Sequence, residues 1–320
     1  MQSDTIAFTP PPLSPYGVFT GDLFQYGRNR VAFESPPADA SSTLLPNKCI
    51  LLGGLSDGLI PVPYVSPLND ICQDTGWSLV QPILSSSYTG FGHGSLDRDV
   101  EEIQELVTYL TVHRNAERFV FMGHSTGCQD ICHYLRNSNQ SGAAINDDGN
   151  NNNIVGAVLQ APVSDREQVA ACQPDAYQTN LVLAQSMVEA GQGQECMPRA
   201  AFWAPITAQR MVDLYAVGGA DDYFSSDLSD AQLTERLAVP KDKWTGLQRI
   251  LVAYSGSDEY IHPGLDTVAH ADRLVAACNA HRPGLANALH LPRANHNLSE
   301  GEVDMFIKAV KELLLQCKEN

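Results

Sequence analysis

The chain has 320 residues, 43% of them hydrophobic and 18% charged, which is the composition of a globular protein with a large core. Acidic residues outnumber lysines and arginines by 37 to 20, and the formal net charge of −17 excludes nucleic-acid binding through a basic surface. The same charge would attract a cationic partner, and no run reaches the about 18 apolar residues of a membrane span.

The N-terminus and the cysteines indicate the compartment. Residues 1–15 are polar and rich in proline, without the basic and apolar regions of a signal peptide. The eight cysteines are scattered and form no Cys-x-x-Cys pair, which is typical of free thiols in a reducing compartment. We therefore expect a cytoplasmic protein.

Strands and helices are predicted to alternate along the chain. Residues 15–34 form a predicted β-hairpin, and the apolar run 49–52 is a predicted buried strand that ends in a glycine-rich loop. Further strands are predicted at 78–84, 118–123, 154–159, 249–254 and 288–291, and helices at 96–115, 126–137, 266–279 and 302–317. This alternation predicts an α/β fold with a mostly parallel central sheet and helices on both faces.

One long segment interrupts the alternation. Residues 163–247 are helix-prone and lie between two predicted strands, which is the pattern of a helical lid inserted above the sheet. Within it, the acidic stretch 211–235 lacks Lys and Arg, and is either a solvated face or a surface that steers a cationic substrate. Residues 138–153 form a predicted polar, asparagine-rich loop. We interpret residues 1–320 as a single domain that carries this insertion.

The run 118–128 carries the chemistry around which the chain is organised. A β-prone stretch leads into Gly123-x-Ser125-x-Gly127, and a helix is predicted directly after it. This pattern is typical of the nucleophile elbow of α/β-hydrolases, in which a sharp turn raises the serine hydroxyl above the sheet. Gly123 and Gly127 leave room for the closely packed strand and helix. Ser125 is therefore the candidate nucleophile of an acyl-transfer reaction.

A serine nucleophile needs a histidine base and a carboxylate that orients the base, and in this fold they follow in the order Ser, Asp or Glu, His. Asp258 lies just after a predicted strand, and His296 lies between the last predicted strand and the last helix. Ser125, Asp258 and His296 are therefore the predicted catalytic triad. The competing candidates fit that order less well, namely Glu259, His124, His262 and His290.

The oxyanion is expected to bind two backbone N–H groups, one from Thr126 and one from the loop after strand 49–52. Within that loop Leu55 is the first choice and Gly54 the second. Tyr88 and Phe91, in the loop after strand 78–84, either line a substrate pocket or anchor their loop by packing. No His, Cys or carboxylate cluster has the spacing of a zinc site, and acyl transfer to water needs no metal or cofactor.

Four runs of the chain resemble a fungal family of α/β-hydrolases: 52–59 (LGGLSDGL), 83–92 (ILSSSYTGFG), 95–103 (SLDRDVEEI) and 122–130 (MGHSTGCQD). That family was long catalogued as a domain of unknown function, and it includes cytosolic siderophore esterases that hydrolyse fusarinine C. The resemblance extends over nearly the whole chain, except that 138–153 looks like an insertion. It implies the fold and triad above, and cleavage of ester bonds in a hydroxamate siderophore.

The substrate implied by the resemblance also suits the charge of the chain. Fusarinine C is a cyclic triester with free amino groups, so its ferric complex should be cationic. Two other interpretations stay open: a serine esterase or thioesterase that acts on another small acyl substrate, and a non-catalytic binding protein on a hydrolase scaffold. In each of them the partner is a small molecule rather than a nucleic acid or a membrane, and the oligomeric state is not predicted.

Overall fold

The computed structural model describes residues 18–35, 44–137 and 154–318. Within these ranges eight strands form one sheet in the order β1-β2-β4-β3-β5-β6-β7-β8. They are β1 (Asp22–Tyr26), β2 (Arg30–Glu34), β3 (Asn47–Leu52), β4 (Ser78–Ile83), β5 (Arg118–His124), β6 (Ile154–Gln160), β7 (Arg249–Ser255) and β8 (Ala286–Leu291). The β1–β2 and β2–β4 pairs are antiparallel and the remaining pairs are parallel. The predicted hairpin is confirmed, although its first strand begins at Asp22.

Helices cover both faces of the sheet. On one face lie α1 (Val65–Thr75) and α9 (Val303–Lys318), and on the other lie α2 (Leu96–His113), α3 (Gly127–Asn137) and α8 (Thr267–Asn279). The predicted α/β fold with helices on both faces is confirmed. Because parallel strands all point the same way, their carboxyl ends meet at one edge, where loops from distant parts of the chain converge.

The apolar runs of the central strands supply both halves of the core. In β3, Ile50 and Leu52 pack on the α2 side, while Cys49 and Leu51 pack on the α1 side. The same alternation holds in β5, where Phe121 and Met122 face opposite sides. Successive side chains of a strand point to opposite faces, so a strand covered on both sides reads as a continuous apolar run.

The segment between β6 and β7 is helical, as the sequence predicts. It contains α4 (Glu167–Cys172), α5 (Pro174–Glu189), α6 (Ala208–Tyr215) and α7 (Asp230–Leu237). Helices α5 and α6 pack together over a small apolar cluster of their own, with Met197, Ile206 and Met211 at its centre. Leu55, from the loop after β3, packs against that cluster and so joins the insertion to the core.

The prediction that the acidic stretch of the insertion is a solvated face is wrong for its central residues. Asp221 is 1% exposed and Asp222 is 4% exposed. Asp221 accepts a hydrogen bond from Arg210 at 2.6 Å, and Asp222 accepts one from Arg166 at 3.0 Å. Since both arginines lie outside residues 211–235, the sequence of the stretch alone conceals that these carboxylates are paired.

The predicted polar loop 138–153 lies outside the described residues, as does the start of the predicted hairpin. In the three ranges that the structure describes, no helix is long and apolar enough to cross a membrane.

Candidate active site

Ser125 occupies a strained turn between β5 and α3. Its backbone φ is 53°, a left-handed value that is uncommon for a residue with a side chain. A Cβ on Gly127 would collide with the carbonyl oxygen of Leu52, and a Cβ on Gly123 would lie 2.5 Å from the carbonyl oxygen of Gly127. The two glycines therefore permit the close approach of strand, turn and helix that the Gly-x-Ser-x-Gly pattern indicates.

The turn is held in place by the end of the neighbouring strand β6. The backbone N–H of Ser125 donates to the carbonyl oxygen of Gln160 at 3.0 Å, and the N–H of Cys128 donates to the carbonyl oxygen of Ser125 at 2.8 Å. The thiol of Cys128 lies 3.3 Å from the same Gln160 oxygen. Burial of these contacts keeps the strained backbone in one conformation, which is how such strain persists in a folded protein.

His296 and Asp258 form a buried pair. The Nδ1 atom of His296 lies 2.7 Å from Oδ2 of Asp258, whose side chain is completely buried. Oδ1 of Asp258 accepts the backbone N–H of Tyr260 at 2.9 Å. Because a carboxylate can only accept hydrogen bonds, Nδ1 of His296 carries the proton and Nε2 is left as the basic nitrogen.

Further contacts hold the loop of His296. Its backbone N–H donates to Oε2 of Glu259 at 3.1 Å, and its carbonyl oxygen accepts from Nε2 of Gln160 at 2.9 Å. The ring of Tyr260 packs edge-on to the imidazole with 4.6 Å between the ring centroids. The backbone of His296 is thus held on both sides of its peptide units, and its imidazole is held by Asp258 and Tyr260, which fixes the direction of the free nitrogen.

Ser125 and His296 line one cavity of about 910 Å³ at the carboxyl edge of the sheet. Its floor is formed by core loops and its walls by the insertion, which contributes apolar and aromatic side chains together with polar ones. The lining from the insertion includes Asp165, Tyr177, Asn180, Phe202, Trp203 and Tyr215. A cavity of this size accepts a substrate larger than a simple acetate ester.

The backbone N–H groups predicted for the oxyanion belong to two segments that meet at the serine. Thr126 follows Ser125 directly, and Leu55 lies in the loop after β3, where Gly54 packs against the serine Cβ. The structure records no acceptor among the described residues for the N–H of either Thr126 or Leu55. Asp57 shapes this loop, because its Oδ2 accepts the N–H of Gly54 at 2.7 Å, and burial raises the pKa of Asp57.

Neither Tyr88 nor Phe91 lines the described cavity that contains Ser125. Tyr88 is 53% exposed, and its ring lies so close to Gly58 that a Cβ there would collide with it. Phe91 is 2% exposed and packs against Trp203 with 5.4 Å between ring centroids. Both side chains pack against neighbouring segments, and Phe91 also lines a separate, smaller cavity together with Leu55 and Thr126. A role of Tyr88 or Phe91 in substrate binding stays a prediction.

None of the remaining candidates of the sequence analysis shows a hydrogen bond from its side chain to Ser125 in the described part of the chain. Nδ1 of His124 lies 2.6 Å from Oε1 of Gln160, and burial lowers the pKa of His124 to about 3. His290 lies in β8, 3.4 Å from Asp272. The Nδ1 atom of His262 is buried without a partner among the described residues. Glu259 holds the backbone of His296 instead of its imidazole, as described above.

Sequence reasoning missed Gln160. This residue is fully buried at the end of β6 and makes contacts through every part of its amide. Tyr64 donates its hydroxyl to Oε1 of Gln160 at 2.9 Å, beside the contact from His124. A polar side chain that ends an otherwise apolar strand was the available signal, because a buried amide needs partners.

Within residues 18–35, 44–137 and 154–318, no group of three or more His, Cys, Asp or Glu side chains could hold a metal ion.

The sheet order, the strained serine turn and the adjoining cavity define an enzyme of the α/β-hydrolase class. Its similarity to known esterases shows that it is a carboxylic ester hydrolase. Residues 8–316 match the family model described as "Protein of unknown function (DUF1749)", and the chain belongs to this family. The resemblance to a fungal α/β-hydrolase family is thereby confirmed.

Three relatives span almost the same length as this chain. The UPF0613 protein PB24D3.06c of Schizosaccharomyces pombe is 32% identical over 297 residues, which cover 87% of this chain and 90% of the relative. The fusarinine C esterase sidJ of Aspergillus fumigatus is 28% identical over 329 residues, with coverage of 90% and 92%. Among solved structures, the siderophore hydrolase EstB from Aspergillus fumigatus is similar with a TM-score of 0.79 and 27% identity, over 96% of this chain and 100% of that one.

Proposed function

We propose that this enzyme hydrolyses the ester bonds of a hydroxamate siderophore of the fusarinine C type through a Ser-His-Asp mechanism, and thereby releases iron inside the cell. The observation that carries the proposal is the convergence of the His296–Asp258 pair and the strained Ser125 on one large cavity. Similarity to the fusarinine C esterase and to the siderophore hydrolase supports the choice of substrate.

In the proposed mechanism, Oγ of Ser125 attacks the ester carbonyl while Nε2 of His296 takes up the hydroxyl proton. Asp258 holds the imidazole in the required tautomer and stabilises its positive charge. The backbone N–H groups of Thr126 and Leu55 bind the oxyanion, and the loss of one such donor typically costs about 10²–10³ in rate. His296 then protonates the leaving alcohol, and water cleaves the acyl-enzyme through the same base.

The insertion has a proposed role as a lid over the reacting groups. Its residues line the cavity, and the insertion is tied to the core by contacts such as the hydrogen bond that Arg210 donates to the carbonyl oxygen of Phe91 at 3.0 Å. Walls of this kind would exclude water from the oxyanion site and strengthen its hydrogen bonds. In this proposal the whole chain acts as one domain.

The proposed location is the cytoplasm. All eight cysteines are free, and six of them are buried. Free thiols in this number suit a reducing compartment, where disulfides do not form.

The decisive experiment is mass spectrometry of ferric fusarinine C after incubation with the wild type and with Ser125→Ala. Linear trimer, dimer or monomer that appears only with the wild type would support both the nucleophile and the substrate. If no product forms but a fluorophosphonate still labels Ser125, the triad stands and the siderophore is not the substrate. If the wild type neither cleaves esters nor reacts with the fluorophosphonate, the protein is a binder on a hydrolase scaffold.

The charge of −17 gives a second test of the substrate. Long-range attraction between exposed charges is screened over about 8 Å at physiological ionic strength, so a steered reaction slows as salt is added. We expect kcat/KM for the cationic ferric siderophore to fall as salt rises, while that for the neutral p-nitrophenyl acetate stays constant. An equal response of both substrates would exclude electrostatic steering.

A further inference from the structure

The charged side chains near the cavity are mostly paired within the protein. Arg210 donates to Asp221 and to the carbonyl oxygen of Phe91, at 2.6 and 3.0 Å. Arg166 donates to Asp222 and also binds Asp227 through two nitrogens. The two buried arginines of the insertion are thereby committed to carboxylates other than Asp165.

Asp165 is a carboxyl group of the same region that forms an ion pair with neither arginine among the described residues. It lies at the carboxyl end of β6, between the strand and α4, and lines the cavity that contains Ser125. Its recorded hydrogen bond comes from Nε2 of Gln129, at 2.6 Å, and no ion pair among the described residues includes it. Gln129 belongs to the first turn of α3 and follows Ser125 by four residues, so this contact links Asp165 to the helix that begins at the nucleophile.

The electrostatic surroundings leave this carboxylate short of positive charge. Burial, together with the negative charges of Asp221 and Asp222, raises the pKa of Asp165 to about 8, although Arg210 lowers it in part. A carboxyl group in a cavity with a pKa raised in this way is a candidate for function, because a bound cation would relieve the unfavourable burial of its charge.

The rest of the lining also suits a cation. Two further carboxylates, Asp57 and Glu259, line the cavity beside a single arginine, Arg199. The aromatic side chains contributed by the insertion have π faces that attract ammonium groups. The lining thus contains three carboxyl groups and one arginine, a balance that suits a cationic ligand.

We propose that Asp165 is a specificity-determining residue that binds a protonated primary amine of the substrate. The inference rests on the proposed ester hydrolase activity and narrows its substrate class to esters that carry an ammonium group. The ammonium would neutralise the charge of Asp165, which the arginines do not do because they are paired with other carboxylates. It would also orient the ester carbonyl toward Ser125.

The test compares two esters that differ at the α-nitrogen: the ethyl ester of Nδ-acetyl-ornithine, with a free and protonated α-amine, and the ethyl ester of Nα,Nδ-diacetyl-ornithine, in which an acetyl group makes this nitrogen neutral. Asp165→Asn keeps the shape of the side chain and removes its ability to ionise when a cation binds. A hydrogen bond between charged groups is worth about 10- to 100-fold in kcat/KM, and we expect that loss for the amine ester only. The diacetyl ester should change by less than about threefold.

Glu189→Gln is the matched control, because it removes the same charge from an exposed position of the insertion that does not line the described cavity. It should leave both esters within about threefold of the wild type. An equal loss on both esters with Asp165→Asn, or no loss on either, would overturn the inference.

Titration calorimetry in the Ser125→Ala background repeats the comparison as dissociation constants, and it decides the inference even where turnover is not detected. Selective weakening of the amine ester by Asp165→Asn supports the role of Asp165, whatever the siderophore experiment finds. Equal affinity of the wild-type cavity for the two esters would refute that role while leaving the esterase activity intact.

Discussion

Replacing Gln160 with leucine would test how the strand next to the nucleophile organises the active site. The leucine keeps about the same volume but removes the amide that joins three buried groups: the carbonyl oxygen of His296, the hydroxyl of Tyr64 and Nδ1 of His124. Gln160 is fully buried, so water cannot replace the lost partners. The backbone contact from Ser125 to the carbonyl oxygen of residue 160 remains.

The magnitude follows from these three groups. A buried polar group that loses its partner costs about 1–3 kcal/mol, so the free energy of unfolding should fall by about 3–9 kcal/mol. Typical proteins have only about 5–15 kcal/mol in all, and the variant should therefore be strongly destabilised. Where it folds, the loop of His296 loses one of its tethers, and a displacement of about 1 Å can cost roughly 100-fold in kcat.

The assays are urea unfolding and kcat/KM for p-nitrophenyl acetate, together with the rate of fluorophosphonate labelling of Ser125. Gln81→Leu is the matched control, because Gln81 is also a buried strand glutamine but accepts a single hydrogen bond from the N–H of Ile60 at 2.8 Å. It should lose stability and keep its activity. A folded Gln160→Leu protein with kcat/KM within about threefold of the wild type would refute the tethering argument.

Three further predictions concern individual side chains. Asp258→Asn should lower kcat on the order of 10⁴-fold with little change in KM, because the amide would favour the wrong tautomer of His296. A loss of less than tenfold in steady-state kinetics would argue against the triad. Burial lowers the pKa of His124 to about 3 in the folded protein, so only the unfolded chain binds this proton as the pH falls from about 6.5 to about 3. Over that range the free energy of unfolding of the wild type should fall by about 1.4 kcal/mol per pH unit more than that of His124→Asn, as measured by urea titration. Parallel pH curves would contradict this. Glu34→Gln should lower the free energy of unfolding by about 3–5 kcal/mol, because it leaves the buried ammonium of Lys48 without its counter-charge. In the wild type, Nζ of Lys48 lies 2.5 Å from Oε1 of Glu34, and burial already lowers the pKa of Lys48. A cost below about 1 kcal/mol would show that the pair is dispensable.

The acidic stretch of the insertion shows where local sequence misleads. Residues 211–235 contain no Lys or Arg, and a solvated face was therefore the simplest interpretation. In the structure Asp221 and Asp222 are buried against Arg210 and Arg166, the second of which lies 56 residues from its partner. The charge pattern of one stretch does not reveal an ion-pair partner that lies elsewhere in the sequence and comes close only when the chain folds.

The loop that carries Tyr88 and Phe91 shows a related ambiguity. Its position after β4 was consistent with a pocket or with packing, and both side chains pack. Which way a loop side chain turns depends on the space left by other segments, here Gly58 and the insertion at Trp203. Composition and position along the chain therefore favoured neither role.

The sequence by itself determined the alternation of strands and helices, the glycine-flanked serine turn, and the order in which Ser125, Asp258 and His296 follow along the chain. These features are written in short-range patterns, because side-chain periodicity and the steric needs of a tight turn act over a few residues. Only the tertiary structure revealed Gln160, whose amide reaches a carbonyl 136 residues away, and the cavity position of Asp165, which no ion pair among the described residues includes. Both depend on which buried groups meet when distant segments pack, and local patterns carry no record of that.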